Sequence, residues 1–77
     1  MTTYLSLVRD DRIVATALVD DAVWNAKRAV IERAALMAGY TTRVDNALIG
    51  LDGPGPGKTC RTLPDVGAWI ASTAGWV

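Results

Sequence analysis

The sequence predicts an α+β fold: an antiparallel sheet of three to four strands, in the connectivity ββαβ(β)α, with the main helix packed on one face. Three observations predict it. A capped, periodic stretch from Asp21 to Ala38 is long enough to be a helix; two runs of β-branched and apolar residues before it flank a short charged turn; and the segments after it alternate weakly around a Gly/Pro loop. With 77 residues the chain makes one small domain, whose stability depends on nearly all of its apolar side chains.

Thr2 to Val8 and Arg12 to Val19 read as the two arms of a hairpin, with Arg9-Asp10-Asp11-Arg12 as its turn. Asp-Asp suits such a turn less well than Asn-Gly, because aspartate tolerates positive φ less readily than glycine. Leu5 and Leu7 share one face against Tyr4, Ser6 and Val8; Ile13, Ala15, Ala17 and Val19 alternate with Val14, Thr16 and Leu18. Neither face is clearly polar, so a second layer or a partner is expected on both sides.

Asp20 and Asp21 place a cap oxygen and negative charge at the start of the helix, where unpaired N–H groups and the positive end of the dipole favour them. Gly39 follows the last periodic residue, where a left-handed cap costs least. On a 100° wheel Val23, Ala26, Val30, Ala34, Met37 and Ala38 share the face expected to pack inward, with Ile31 on its flank and Asn25, Arg28 and Glu32 opposite. Trp24 is expected to close one end of the core. Its alanines suit close approach to a sheet.

After the helix, Thr41 to Leu51 is expected as one irregular strand and Asp52 to Gly57 as a loop, because proline removes donors and glycine raises the cost of regular structure. Thr59 to Thr62 follows as a short edge strand. Pro64-Asp65 fits the first turn of a final helix with Val66, Trp69, Ile70 and Thr73 at helical spacing. Pairing the third strand antiparallel to the first gives the order 2-1-3-4.

Composition narrows the function. An apolar share of 51% with 21% charged residues is that of a folding chain. Eight basic residues balance eight acidic ones, so no overall field draws the protein to nucleic acid or to an anionic membrane. No histidine is present and Cys60 is the sole cysteine, which removes internal disulfides and the usual ligands of a zinc site. No cofactor is implied. Arg9, Asp10, Asp11 and Arg12 interrupt any leader core near the first residue, and no apolar run approaches the length of a membrane span; a cytoplasmic location is expected.

The motifs are weighed one by one. Gly53-Pro54-Gly55-Pro56-Gly57-Lys58-Thr59 ends like a phosphate-binding loop, but Asp52 stands where the first glycine belongs, two prolines remove amides, and the residues after Lys58 look extended rather than helical. Cys60 lacks a histidine to activate it and reads as a structural, half-buried cysteine, although Lys58 and Arg61 are near enough in sequence to favour a thiolate. Asp10-Asp11 and Asp20-Asp21 lie at opposite ends of the hairpin, roughly 25 to 30 Å apart at the usual rise per residue, so they cannot form one acid/base site. The basic residues Lys27, Arg28 and Arg33 point in three directions on the wheel, which weighs against the alternative of a small DNA- or RNA-binding regulator.

Seven of the eight acids, Asp10, Asp11, Asp20, Asp21, Asp45, Asp52 and Asp65, fall in expected turns, caps and loops. Aspartate favours such positions anyway, but acids spaced around a small rigid sheet also present negative charge to a basic groove. Of the three tryptophans, Trp69 is expected to pack inward and Trp76 to be exposed as a contact anchor. The expected function is therefore non-enzymatic: an inhibitor that binds a protein partner through Asp10, Asp11, Asp20, Asp21 and Trp76, acting as a monomer or as a homodimer through the second apolar face of the hairpin.

The strand Thr3-Tyr4-Leu5, the hairpin return and the alanine-rich helix from Ala22 to Ala38 resemble, over about half the chain, the small phage-encoded anti-CRISPR proteins. That resemblance implies blockade of a CRISPR effector complex by steric or DNA-mimicking contact, and it assigns no functional residues.

Overall fold

A computed structural model describes residues 2–45 and 56–76 of the chain. In order, its elements are β1 (Thr2–Arg9), β2 (Arg12–Asp20), α1 (Asp21–Met37), β3 (Thr41–Asp45), β4 (Pro56–Cys60) and α2 (Leu63–Thr73). The fold is α+β, as expected, with the main helix against the sheet. The expected continuation of the third strand over 46–51 and most of the Gly/Pro loop, 52–55, lie outside the described residues.

The hairpin forms in full. β1 and β2 pair antiparallel from Thr2↔Asp20 to Arg9↔Arg12, with a bulge at Val14 where Val8 pairs with Ile13. Asp10 (φ 53°) and Asp11 (φ 61°) both occupy the left-handed region, as a two-residue turn that follows the strand twist requires. β3 pairs antiparallel with β1 on its other side.

The fourth strand departs from expectation. The sheet order is β3-β1-β2-β4, with β4 lying parallel to β2, so the sheet is mixed and its last strand is on the opposite edge from the one expected. The cause is coverage. A helix is about 10 Å wide and strands are about 4.8 Å apart, so α1, which packs against β1, β2 and β3, leaves the β2 edge bare; α2 packs against β2 and β4 and closes that side. Putting β4 there delivers α2 where it is needed.

The core lies between the helices and one sheet face. Leu5, Leu7, Ala17, Val19 and Cys60 supply that face, and Trp24, Ile31, Ala35, Val66, Trp69 and Ile70 descend on it. Each large aliphatic among them contributes about 1.5–3 kcal/mol by leaving water. On the other face Ser6 and Thr16 are buried and share a hydrogen bond of 2.9 Å.

Which face of α1 packs inward is a correction. Trp24, Ile31, Ala35 and Ala38 are buried and Val23 and Ala34 lie half in, whereas Val30 is 53% and Met37 74% exposed and Ala26 faces solvent. A wheel counts apolar positions, but burial is worth area, and one tryptophan with one isoleucine outweighs several alanines. Lys27 adds to the rotation: its φ −124°, ψ 20° leave the helical range and shift the phase between Trp24 and the turns that follow.

The caps of α1 match the sequence, and those of α2 are supplied by Thr62, expected in a strand, and Gly75. The Asp20 carboxylate accepts the Ala22 N–H at 2.9 Å. Gly39 takes φ +90° while its N–H reaches the Leu36 carbonyl and that of Tyr40 the Ala35 carbonyl at 2.8 Å, a Schellman closure. α2 begins on Thr62, whose hydroxyl accepts the Asp65 N–H, and closes on Gly75 in the same manner as α1. Among the described residues no helix is long and apolar enough to cross a membrane.

Two glycines should respond in opposite senses. Gly67, inside α2 with nothing within 4 Å of an added Cβ, gains about 1 kcal/mol of stability on Gly67→Ala. A Cβ at Gly39 would meet the Arg9 guanidinium at 3.1 Å in a left-handed backbone, so Gly39→Ala loses about 1–2 kcal/mol. Urea denaturation of the two variants against the parent checks both signs.

Candidate functional site

The sharpest concentration of features is at the end of the molecule that holds the hairpin turn. Arg9 closes β1 there. Its Nη2 donates to the Ala38 carbonyl at 3.2 Å and its Nε to the Gly39 carbonyl at 3.4 Å, while the guanidinium lies 4.4 Å from the centroid of the Tyr40 ring. The Arg9 charge therefore serves the negative end of α1, whose last turn holds no basic residue of its own. The Tyr40 hydroxyl donates in turn to the Thr73 carbonyl at 3.3 Å, which brings the end of α2 alongside.

With Arg9 turned to the helix end, Asp10 and Asp11 stand exposed at the tip, and neither has an ion-pair partner among the described residues. Trp76, just beyond α2, is 61% exposed, as expected. Leu36 and Met37 lie at the same end and are 63% and 74% exposed. The surface combines two carboxylates, two helix carbonyl ends and an open indole.

Asp20 and Asp21 are at the other end of the hairpin. Asp20 is occupied as the cap of α1, and Asp21 accepts a hydrogen bond from the Thr3 hydroxyl. Both are half-buried. The five residues named from the sequence are thus split: Asp10, Asp11 and Trp76 lie at the hairpin-tip end of the molecule, and Asp20 and Asp21 lie at the other. Of the other loop acids, Asp45 lies 3.2 Å from Arg43 and the Asp65 carboxylate accepts the Arg61 N–H at 3.4 Å, while Asp52 is outside the described residues.

The remaining motifs take structural places. Gly57, Lys58 and Thr59 are extended in β4, so no helix starts at Lys58 to hold a phosphate. Arg28 pairs with Glu32 at 2.7 Å and lies over Trp24. Among the described residues no group of three or more His, Cys, Asp or Glu side chains gathers as metal ligands. Chemistry missed by the sequence reading is apolar: an open groove of about 130 Å³ between the helices, lined by Val30, Ile31 and Ala34 of α1 and Leu63, Val66, Gly67 and Ile70 of α2. Its signal was present in α1, which carries more apolar positions than one helix face can bury.

Compared with protein families, with curated proteins and with solved structures, the chain matches none.

Cys60 is fully buried, not half-buried as expected. Burial first, and the Asp65 carboxylate second, push its thiol pKa up, against a smaller opposing pull from Lys58. A raised folded pKa gives stability that is intact below the unfolded thiol's value and is lost as pH rises from there through the folded value. The thiol is accordingly expected to react with an aromatic disulfide reagent at pH 8 at least about tenfold more slowly in the native protein than in denaturant; equal rates would show an accessible thiolate.

Proposed function

We propose that this protein is a non-enzymatic inhibitor that works by occupying the surface of a larger protein, and that it makes contact through the hairpin-tip end: Asp10, Asp11 and Trp76. What supports the reading above all is the turn itself. Two consecutive aspartates are held at φ 53° and 61°, where asparagine and glycine would sit with less strain, and their carboxylates are left exposed with no cation spent on them among the described residues. Strain kept at an exposed charged tip favours a role for the charges over a role for the turn. The exposed indole of Trp76, at the same end, is the side chain most suited to anchoring a protein contact.

The partner chemistry that fits is basic with an apolar recess. Together with the anti-CRISPR resemblance of the hairpin and helix, this makes a CRISPR effector complex the partner of choice, blocked sterically or by carboxylates standing where DNA phosphates would be. Nucleic acid is the weaker partner, because Arg9, Arg28 and Arg43 are engaged within the fold.

The test is target cleavage by purified effector complexes with and without the protein. Inhibition of at least one is expected. The double variant Asp10→Asn, Asp11→Gly keeps the turn while removing both charges, and should weaken inhibition at least about tenfold with an unchanged circular dichroism spectrum; Trp76→Ala should do likewise. Full activity of every complex, with no association in pull-down, would end the effector reading. Binding to DNA with a steep salt slope would transfer the function to nucleic acid.

A further inference from the structure

The groove between α1 and α2 is apolar and open to solvent. The buried Ile31, Val66 and Ile70 line its floor, and the exposed Val30 and Gly67 border it on the α1 and α2 sides. Gly67 is poorly explained by the fold alone: glycine is the weakest helix former after proline, and a Cβ at this position would meet nothing within 4 Å. What the missing side chain provides is depth, and a place where another backbone can come close.

Size decides what fits. The groove holds about 130 Å³, well below the roughly 300–1,000 Å³ of a small-molecule site and close to the about 150 Å³ that takes up one benzene. One large apolar side chain fills it. Charge decides what carries that side chain. Lys27 and Arg33, three residues before and three after Val30, are its neighbours on the helix surface; both are exposed, and neither has an ion pair among the described residues. No acid answers them from α2, whose one charged residue, Asp65, accepts the Arg61 N–H at the start of that helix.

We infer that this groove is a docking site for an acidic amphipathic helix of a protein partner, which seats one leucine-sized side chain between α1 and α2 and sets carboxylates against Lys27 and Arg33. Helix side chains alone line the groove, so an extended segment would find no strand edge for its N–H and C=O groups, whereas a helix satisfies its own. Lys27 and Arg33 are about 9 Å apart along α1, so the partner's acids lie three residues before and three after its anchor. The inference goes beyond the inhibitor reading. The hairpin tip offers carboxylates to a basic partner, and the groove offers cations to an acidic one.

The probe is a fluorescein-labelled, alanine-based helical peptide of about 15 residues with one central leucine and a glutamate three residues to each side of it. Added to the whole chain, it should bind with a dissociation constant of about 10–100 µM and shift the amide resonances of Val30, Gly67 and Ile70. Replacing its leucine by alanine, or its glutamates by lysine, should weaken binding at least about tenfold. Gly67→Leu, which fills the groove from an open position, should abolish binding with helical circular dichroism retained, and Lys27→Glu with Arg33→Glu should reverse the preference between the glutamate and lysine peptides. No saturable binding up to about 1 mM, equal binding of the lysine peptide, or indifference to Gly67→Leu would each overturn the proposal. So would shifts of the same amides on dilution of the protein alone, which would give the groove to a second copy. None of these variants touches Asp10, Asp11 or Trp76, so the inhibitor reading is tested separately.

Discussion

The fold turns on the junction Ala38-Gly39-Tyr40. There α1 must stop, reverse and release the chain into β3, on the far side of β1 from where α1 began. A left-handed glycine makes the reversal, Tyr40 is driven into the core at 3% exposure, and its amide and hydroxyl bond the ends of α1 and α2 respectively. Arg9 seals the same point from the hairpin by donating to the carbonyls of Ala38 and Gly39. Hairpin, both helices and the third strand thus meet at one group of hydrogen bonds, set between the exposed hairpin tip and the buried Tyr40 ring.

Strand pairing on both sides of β1 explains how a turn made of two aspartates is tolerated. The strain of two left-handed non-glycine residues, of order 1–3 kcal/mol each, is borne by a hairpin paired along eight registers on one side and five on the other. At the opposite end the same residue type does ordinary work: Asp20 caps and Asp21 receives a hydroxyl. Identical side chains differ in availability because of what lies beside them.

α1 illustrates a limit of periodicity. Its sequence contains two apolar faces, one alanine-rich with Val30 and Met37, the other built on Trp24, Ile31, Ala35 and Ala38. Counting positions favours the first; the sheet takes the second, because area decides burial. The face that is richest in apolar positions is left outside.

By itself the sequence determined what local chemistry can enforce: the hairpin, the main helix with its aspartate and glycine caps, the final helix opening at Pro64-Asp65, the inward Trp24 and Trp69 and the outward Trp76, since caps, φ preferences and alternation act over a few residues. Tertiary structure alone decided the side of the sheet that β4 joins, the phase of α1 on the core, the full burial of Cys60, and which aspartates lie at the same end as Trp76. Each of these is settled by competition for area among segments distant in sequence, which no window along the chain contains.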